Sequence, residues 1–432
     1  MGASEQTLTS IEICAGAGGQ AIGLHSAGFR HLALVEIDKH AVETLEENVK
    51  SRDGWEWERK YCDIVSGDVN DFHPIPVADK KNSGLRKPVE FFGRSLRRGE
   101  LHLLAGGVPC PPFSHAGKQL GKDDERDLFP RMIELIDALH PQAVMIENVR
   151  GIKDAKFKDY RTYIEARLQG GLAKRPEDGV EEYFNGFGYK VVMWDVLEAA
   201  NFGVPQLRPR AILVAIRQDV LGDLEFVRPT PGEATRKSVF DALDISMKER
   251  FQYYINLGGT EAALAQRRYE AWAKEASGSG GVAPTLVGGS KKHGGADLGP
   301  SRAKAAWAAL GISGMGVANG KKEGQEKRDQ SRSRDLLGPG GPMLTVEQAA
   351  LIQGFPPEWD FTGGKTAQYR QVGNAFPPPV AKAVATAIAT VLRKAQERDE
   401  RAKTAASGAE RLPAQGPSAL ADDTDDLLRA GV

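Results

Sequence analysis

The chain has 432 residues, a formal charge of −1, 41% hydrophobic and 27% charged residues. That length predicts two or three domains with a sizeable core, and the composition is that of a soluble globular protein. Three cysteines (Cys14, Cys62, Cys110) exclude a disulfide framework and a cysteine metal cluster, which fits a reducing cytoplasm. The N-terminus "MGASEQTLTS" has no basic-then-apolar secretory pattern, and Gln6 departs from a myristoylation signal. No apolar run reads as a membrane span.

The first half alternates strand and helix signals. "SIEIC" is a short strand, "AGAGGQAIGLHSAG" a glycine turn and helix, "HLALVEI" a second strand, and "DKHAVETLEENVKS" an amphipathic helix with Asp38 as its start signal. "KYCDIVSGDV", "ELHLLAGG" and "QAVMIENV" continue the strands, with "DLFPRMIELIDALHP" as a helix between the last two. "YKVVMWDVLEA" and "RAILVAIR" complete the series. This order predicts an α/β fold with a doubly wound, mostly parallel sheet over residues 8–217. Two polar inserts, 72–100 and 153–182, interrupt it. Residues 218–340, with the glycine-rich breaks "ASGSGGVAP" and "LGPGGP", read as a smaller, mixed second domain. Residues 341–396 carry two helical patterns that pack back on the first domain. From about 397 the chain lacks apolar periodicity and reads as a disordered tail.

In such a sheet, ligands bind at the carboxyl ends of the strands. Gly16 to Gly19, Glu36, Asp68, Cys110 and Glu147 fall there. Gly16, Gly18 and Ala21 fit a dinucleotide-type turn, in which backbone amides at a helix N-terminus approach a ligand. Glycine could equally serve a bare tight turn. Glu36 suits ribose hydroxyls, and Asp68 suits an adenine amino group. An adenosyl cofactor without phosphates fits as well as a dinucleotide does.

Cys110 stands between Pro109 and Pro111 in "GGVPCPPFSHAGK". A lone cysteine is commonly a small buried hydrophobe, but flanking prolines at a strand end pre-position an attacking sulfur. Glu147 ends the next strand. Gln206, Arg208 and Arg210 precede another, and arginines two apart on an extended segment point the same way. They suit a phosphate or a base oxygen. From Ala283 to Arg334, ten basic residues, Lys291 and Lys292 among them, face four acidic ones, a balance of +6. This reads either as a solvated loop or as a phosphate-tracking surface.

A thiol, a carboxyl group, converging arginines and an adenosyl donor together suit methylation of cytosine at carbon 5. Thiolate addition at carbon 6 makes carbon 5 nucleophilic, and an acid at ring nitrogen 3 neutralises charge. In a duplex the base must first be flipped out.

At this point the sequence resembles the DNA (cytosine-5)-methyltransferase family, of the bacterial modification type. Seven stretches carry the likeness in the family's order: "AGAGGQAIGLHSAGF", "VEIDKHAVETLEEN", "GGVPCPPFSHAGK", "IENVRG", "QLRPR", "LTVEQAALIQGFPPEW" and "YRQVGNAFPPPVAKAV". The resemblance implies a Rossmann-like methyltransferase sheet with S-adenosyl-L-methionine as cofactor. Cys110 would be the nucleophile and Glu147 the group at nitrogen 3, with Arg208 and Arg210 on the flipped cytosine or its phosphate. Gly16, Ala17, Gly18, Gly19, Glu36, Asp68, Pro109 and Asn374 would line the cofactor site. Ser114, Gln206, Lys291 and Lys292 would face DNA, and residues 218–340 would read bases from the major groove. No metal is implied. The implied setting is cytoplasmic, on double-stranded DNA, as a monomer, with a cognate restriction or defence system as a partner.

Two departures stand out. Cys14 occupies the place where the family usually has phenylalanine, and Pro111 follows the nucleophile where the family commonly has glutamine. Other readings are an RNA (cytosine-5) methyltransferase and a catalytically silent DNA-binding relative. An amino-group methyltransferase is suggested by "CPPF", and an NAD oxidoreductase is the most distant.

Overall fold

The computed structural model describes residues 7–76, 88–91, 93–109, 127–231, 236–278, 281–288 and 296–409. It opens with β1 (Thr9–Ile13), α1 (Gly19–Ser26), β2 (Arg30–Glu36), α2 (Lys39–Ser51), α3 (Glu56–Tyr61) and β3 (Asp63–Ser66). A small hairpin, β4 (Glu90–Phe91) and β5 (Arg94–Ser95), lies in the first insert. Then come β6 (Leu103–Gly107), α4 (Phe129–Leu139) and β7 (Ala143–Val149). The second insert folds as α5 (Lys158–Gln169) with the hairpin β8 (Gly171–Lys174) and β9 (Glu181–Phe184). β10 (Tyr189–Glu198) and β11 (Pro209–Arg217) close the alternating series.

Seven of these strands form one sheet in the order β10-β11-β7-β6-β1-β2-β3. Neighbours from β3 to β7 are parallel, while β11 runs antiparallel to both β7 and β10. This is the expected doubly wound, mostly parallel sheet. Its central strands are apolar throughout because helices cover both faces: β1 is buried at every position and β6 at all but its last. The strand order reverses between β1 and β6, so the carboxyl ends of β1, β2, β6 and β7 open into one crevice.

Local chemistry sets the element ends. The Asp38 carboxylate accepts hydrogen bonds from the amides of His40 and Ala41 and starts α2 as expected, a cap worth about 1 kcal/mol. Ser238 and Asp241 form a reciprocal capping box at the start of α7 (Val239–Asn256), as do Thr345 and Gln348 at α11 (Val346–Gln353).

Between β11 and α11 the described residues contain no named strand. They form α6 (Gln218–Leu221), α7, α8 (Gly259–Gly278), α9 (Ser301–Ala308) and α10 (Gln325–Asp335). The mixed character read from the sequence is thus helical among the described residues. α7, α8 and α11 share one apolar cluster with residues of the sheet side, Ala15, Leu34 and Leu45 included.

The chain ends in α12 (Lys365–Asn374) and α13 (Pro378–Ala409). α13 lies against α1, where a side chain on Gly23 would stand 2.4 Å from the Cβ of Ala381. α13 corrects two expectations. It continues to Ala409, past residue 397 where the tail was expected to lose order; residues 399–405 are exposed and offer no apolar stripe for a sequence reading to find. The segment it shares with α12 is also long and apolar enough to cross a membrane, contrary to the first reading, yet 67% of its apolar 18-residue window is buried inside the fold. Val380, Val384, Ile388 and Leu392 fill the core between α13 and the sheet, each contributing about 1.5–3 kcal/mol.

Candidate functional site

The crevice at the strand ends holds a cavity of about 340 Å³, walled by Gly16, Glu36, Gly107, Pro109, Glu147 and Asn374 among others. Its first wall is a backbone feature. Cys14, Gly16 and Gly18 take φ values of +53°, +54° and +91°, a region that costs an ordinary residue about 1 kcal/mol or more. A Cβ on Gly16 would meet nothing within 4 Å, whereas one on Gly18 would stand 2.7 Å from the Trp359 ring. The turn is thus open toward the cavity and packed shut behind it.

Glu36 holds the turn to the second strand. One carboxylate oxygen accepts from the Gly16 amide at 2.7 Å, and the other accepts from Ile37 and Asp38 at 2.9 and 2.8 Å. Cys14 also lines the cavity. Burial, with Glu36, Glu12 and Asp68 nearby, pushes its thiol up to about 12, so it stays neutral. Asp68 is exposed and is not on the cavity wall; its carboxylate caps a short turn through the Asn70 amide.

The base-side wall is made of charges. Glu147 on β7 and Arg210 on β11 form an ion pair, Nε to Oε1, at 2.7 Å with side chains 13% and 12% exposed. The antiparallel register pairs Glu147 with Ile212 and Arg210 with Val149, which brings the two side chains together. Burial raises the Glu147 carboxyl above its ordinary value, opposed by Arg210 and then Arg208. A carboxyl group so placed holds a proton more readily than a free one. The neighbouring Asn148 is tied down by donating to the Val108 carbonyl at 2.7 Å.

Two expected contacts are corrected. Arg208 is 1% exposed. It donates to the carbonyls of Leu286 at 2.7 Å, Gly373 at 2.7 Å and Ala375 at 3.0 Å. Burial lowers its pKa to about 9. Gln206 is fully buried; it donates to Gln353 Oε1 at 2.7 Å and accepts from the Leu286 amide at 2.7 Å. Arg208 thus fastens Leu286 and the end of α12 to the sheet, and Gln206 fastens Leu286 and the end of α11, so in this structure both side chains are spent on the protein itself. The alternation argument placed Arg208 and Arg210 on one side, and both do influence Glu147. It could not foresee that α12 covers the first of them.

Cys110, Ser114, Lys291 and Lys292 lie outside the described residues. Pro109, one residue before Cys110, is on the cavity wall, as are Ala17, Gly19 and Asn374.

Among the wall residues to which the sequence reading gave no role are Glu12, Gln20, Arg370 and Phe376. Glu12 is 1% exposed, and its Oε2 has no hydrogen-bond partner; burial raises its pKa. Gln20 is 3% exposed, with both side-chain polar atoms unpartnered. The buried Nε of Arg370 is also unpartnered. Buried polar groups without partners are costly in a finished interior. On a cavity wall they suit a ligand rich in hydroxyl, amino and carboxylate groups. Position in the sequence could have pointed to Glu12, a charged residue inside an otherwise apolar strand. Gln20 falls in the stretch "AGAGGQAIGLHSAGF", and Arg370 and Phe376 fall in "YRQVGNAFPPPVAKAV", where no role was read for them.

This crevice, a glycine turn with a carboxylate on one side and a buried Glu–Arg pair on the other, suits a transferase that brings a nucleoside-like donor to a second ring. The chain matches the C-5 cytosine-specific DNA methylase family over residues 8–390 and belongs to it. It is similar to the type II methyltransferase M.NaeI of Lentzea aerocolonigenes, 42% identical over 92% of this chain and 78% of the relative. It is also similar to M.NgoMIV of Neisseria gonorrhoeae, 38% identical over 89% of this chain and 98% of the relative. Among solved structures, one described as a DNA modification methyltransferase encoded within an E. coli prophage superposes with a TM-score of 0.50 at 19% identity. The match covers 89% of this chain and 99% of that one, and supports the fold alone. The protein is a DNA (cytosine-5) methyltransferase.

Proposed function

We propose that this enzyme methylates carbon 5 of a flipped-out cytosine in a specific duplex sequence through a covalent adduct with Cys110. The observation that carries this reading is the Glu147–Arg210 pair at 2.7 Å on the wall of the cavity that also holds Gly16 and Glu36. The carboxyl group held protonatable and the adenosyl-type turn share one space.

The orphaned polar atoms of Gln20 and Arg370, the opening at Gly16 and the Glu36 carboxylate fit S-adenosyl-L-methionine. Glu36 would accept from its ribose hydroxyls, and Arg370 would face its carboxylate. When bound there, this cofactor supplies an electrophilic methyl group to carbon 5.

The chain's residues carry the rest. The Cys110 thiolate adds to carbon 6, and the ring electron pair moves toward carbon 5. Glu147 donates its proton, or a hydrogen bond, to nitrogen 3, which absorbs the developing charge. Arg210 fixes the direction of the Glu147 carboxyl group. After methylation the proton on carbon 5 leaves to water, the sulfur–carbon 6 bond breaks, and Cys110 regains its thiolate while Glu147 recovers its proton. Residues 218–340 would act as the target-reading part, with Lys291 and Lys292 on phosphates. A cognate restriction or defence system would be the partner of such an enzyme, and the cytoplasm its place of work.

The test is a duplex carrying 5-fluorocytosine at the target, incubated with enzyme and S-adenosylmethionine. Fluorine cannot leave as the proton does, so a denaturant-stable complex is expected with wild type and none with Cys110→Ala. An adduct formed with RNA and not with DNA would overturn the duplex-DNA reading; a wild-type protein that binds DNA without any adduct would point to a silent relative.

A further inference from the structure

The segment after α11, "GFPPEWDFT", crosses from the recognition-side helices to the cofactor turn. Trp359 lies at its centre and is 6% exposed. Its indole N–H donates to the Ala17 carbonyl at 2.9 Å. Its ring also backs Gly18, where a Cβ would come within 2.7 Å of it and within 3.1 Å of Leu45. Ala17 and Gly18 are the two residues that carry the turn from Gly16 into α1.

The next residues hold the other side of the cavity. Asp360 and Asn48 exchange two hydrogen bonds, at 3.0 Å and 2.7 Å. Thr362 donates from its amide to Thr44 Oγ1 at 2.9 Å and from its hydroxyl to the His40 carbonyl at 2.8 Å. These contacts pin α2, the helix that follows Glu36. From outside, Lys322, of the basic segment, donates to the Phe361 carbonyl at 2.9 Å.

We propose that Trp359 is a positioning residue for S-adenosylmethionine: its N–H and ring hold the Ala17–Gly18 peptide in the left-handed shape that the cofactor meets. This rests on the reading that the cavity takes that cofactor. Gly18 has no side chain to anchor its φ of +91°, and glycine alone visits many conformations. An external clamp therefore reduces the ordering that binding must impose. Trp359 itself does not line the cofactor cavity, so it acts through the turn and not by touching the ligand.

The experiment uses the full chain with Trp359→Phe, which keeps a ring and removes the donor. Cofactor affinity is measured by equilibrium dialysis with labelled S-adenosylmethionine, alongside the melting temperature without cofactor. A Kd weakened roughly 3- to 10-fold is expected, with a melting temperature lowered by the lost packing and the orphaned Ala17 carbonyl but a folded variant whose turnover rate at saturating cofactor stays within about twofold of wild type. Should Trp359→Phe fail to fold, site-specific replacement of Trp359 by its benzothiophene analogue keeps the bicyclic shape and lacks the N–H, and the same weakening is expected. An unchanged Kd in a folded variant overturns the positioning role. A wild-type protein that does not bind S-adenosylmethionine overturns instead the assignment of the cavity, and the role of Trp359 with it.

Discussion

The two walls of the cavity are built from different materials. The cofactor side is backbone: three positive-φ positions, with amides turned onto Glu36. The base side is side-chain charge, Glu147 against Arg210, set by strand register. The first tolerates little change of shape, and the second little change of charge. The shape wall should therefore govern affinity for the donor, and the charge wall the rate of transfer.

The largest expected effect falls on the proposed nucleophile. Cys110→Ala should abolish methyl transfer to cytosine-containing DNA while S-adenosylmethionine binds within about twofold of wild type, as read by radiolabel transfer and equilibrium dialysis. Glu147→Gln comes next, with a rate loss of about 10²- to 10⁴-fold and little change in donor affinity. The pH profile sharpens this. Burial raises the Glu147 pKa and the proposed mechanism uses the protonated form, so single-turnover rate should fall as pH rises through that raised value. Glu147→Gln, which does not titrate, should lose that limb; an alkaline limb that persists in it would exclude Glu147 as its source.

Arg208→Met tests the correction that this residue is structural. Three carbonyls lose a buried donor, which should cost about 3–5 kcal/mol of stability, seen as a lower melting temperature. The salt dependence of DNA binding should stay the same, because no phosphate contact is lost. A lost salt contact without a stability change would restore Arg208 to the DNA surface. The smallest effect belongs to the shape wall. Glu36→Gln leaves one acceptor oxygen, enough for Ile37 and Asp38 but not for Gly16 as well, and removes the charge, so donor affinity should fall about tenfold with turnover at saturation retained.

Much of this site was legible from residues alone where the requirement is local. Gly16 and Gly18 stand out because few residues accept positive φ, and Glu36 because a carboxylate directly after an apolar run sits at a strand end; Glu147, expected at such an end, lies two residues inside β7, which runs on to Val149. Asp38 announced its helix for the same local reason. Asp68 was placed at the correct strand end, but the direction of its side chain was set by a short turn that takes it off the cavity wall.

What the sequence by itself determined was the order of strands, the crevice at their ends and the chemical types brought there, since backbone conformation and apolar periodicity act over a few residues. Only the tertiary structure decided which polar groups stay free for ligands. Gln206 and Arg208 are consumed by segments about 80 to 165 residues away, Trp359 reaches back 342 residues to Ala17, and α13 is ordered past its apolar stripe. The burial of Gln206, Arg208 and Trp359 depends on which distant group a buried polar atom meets, and no local pattern encodes that.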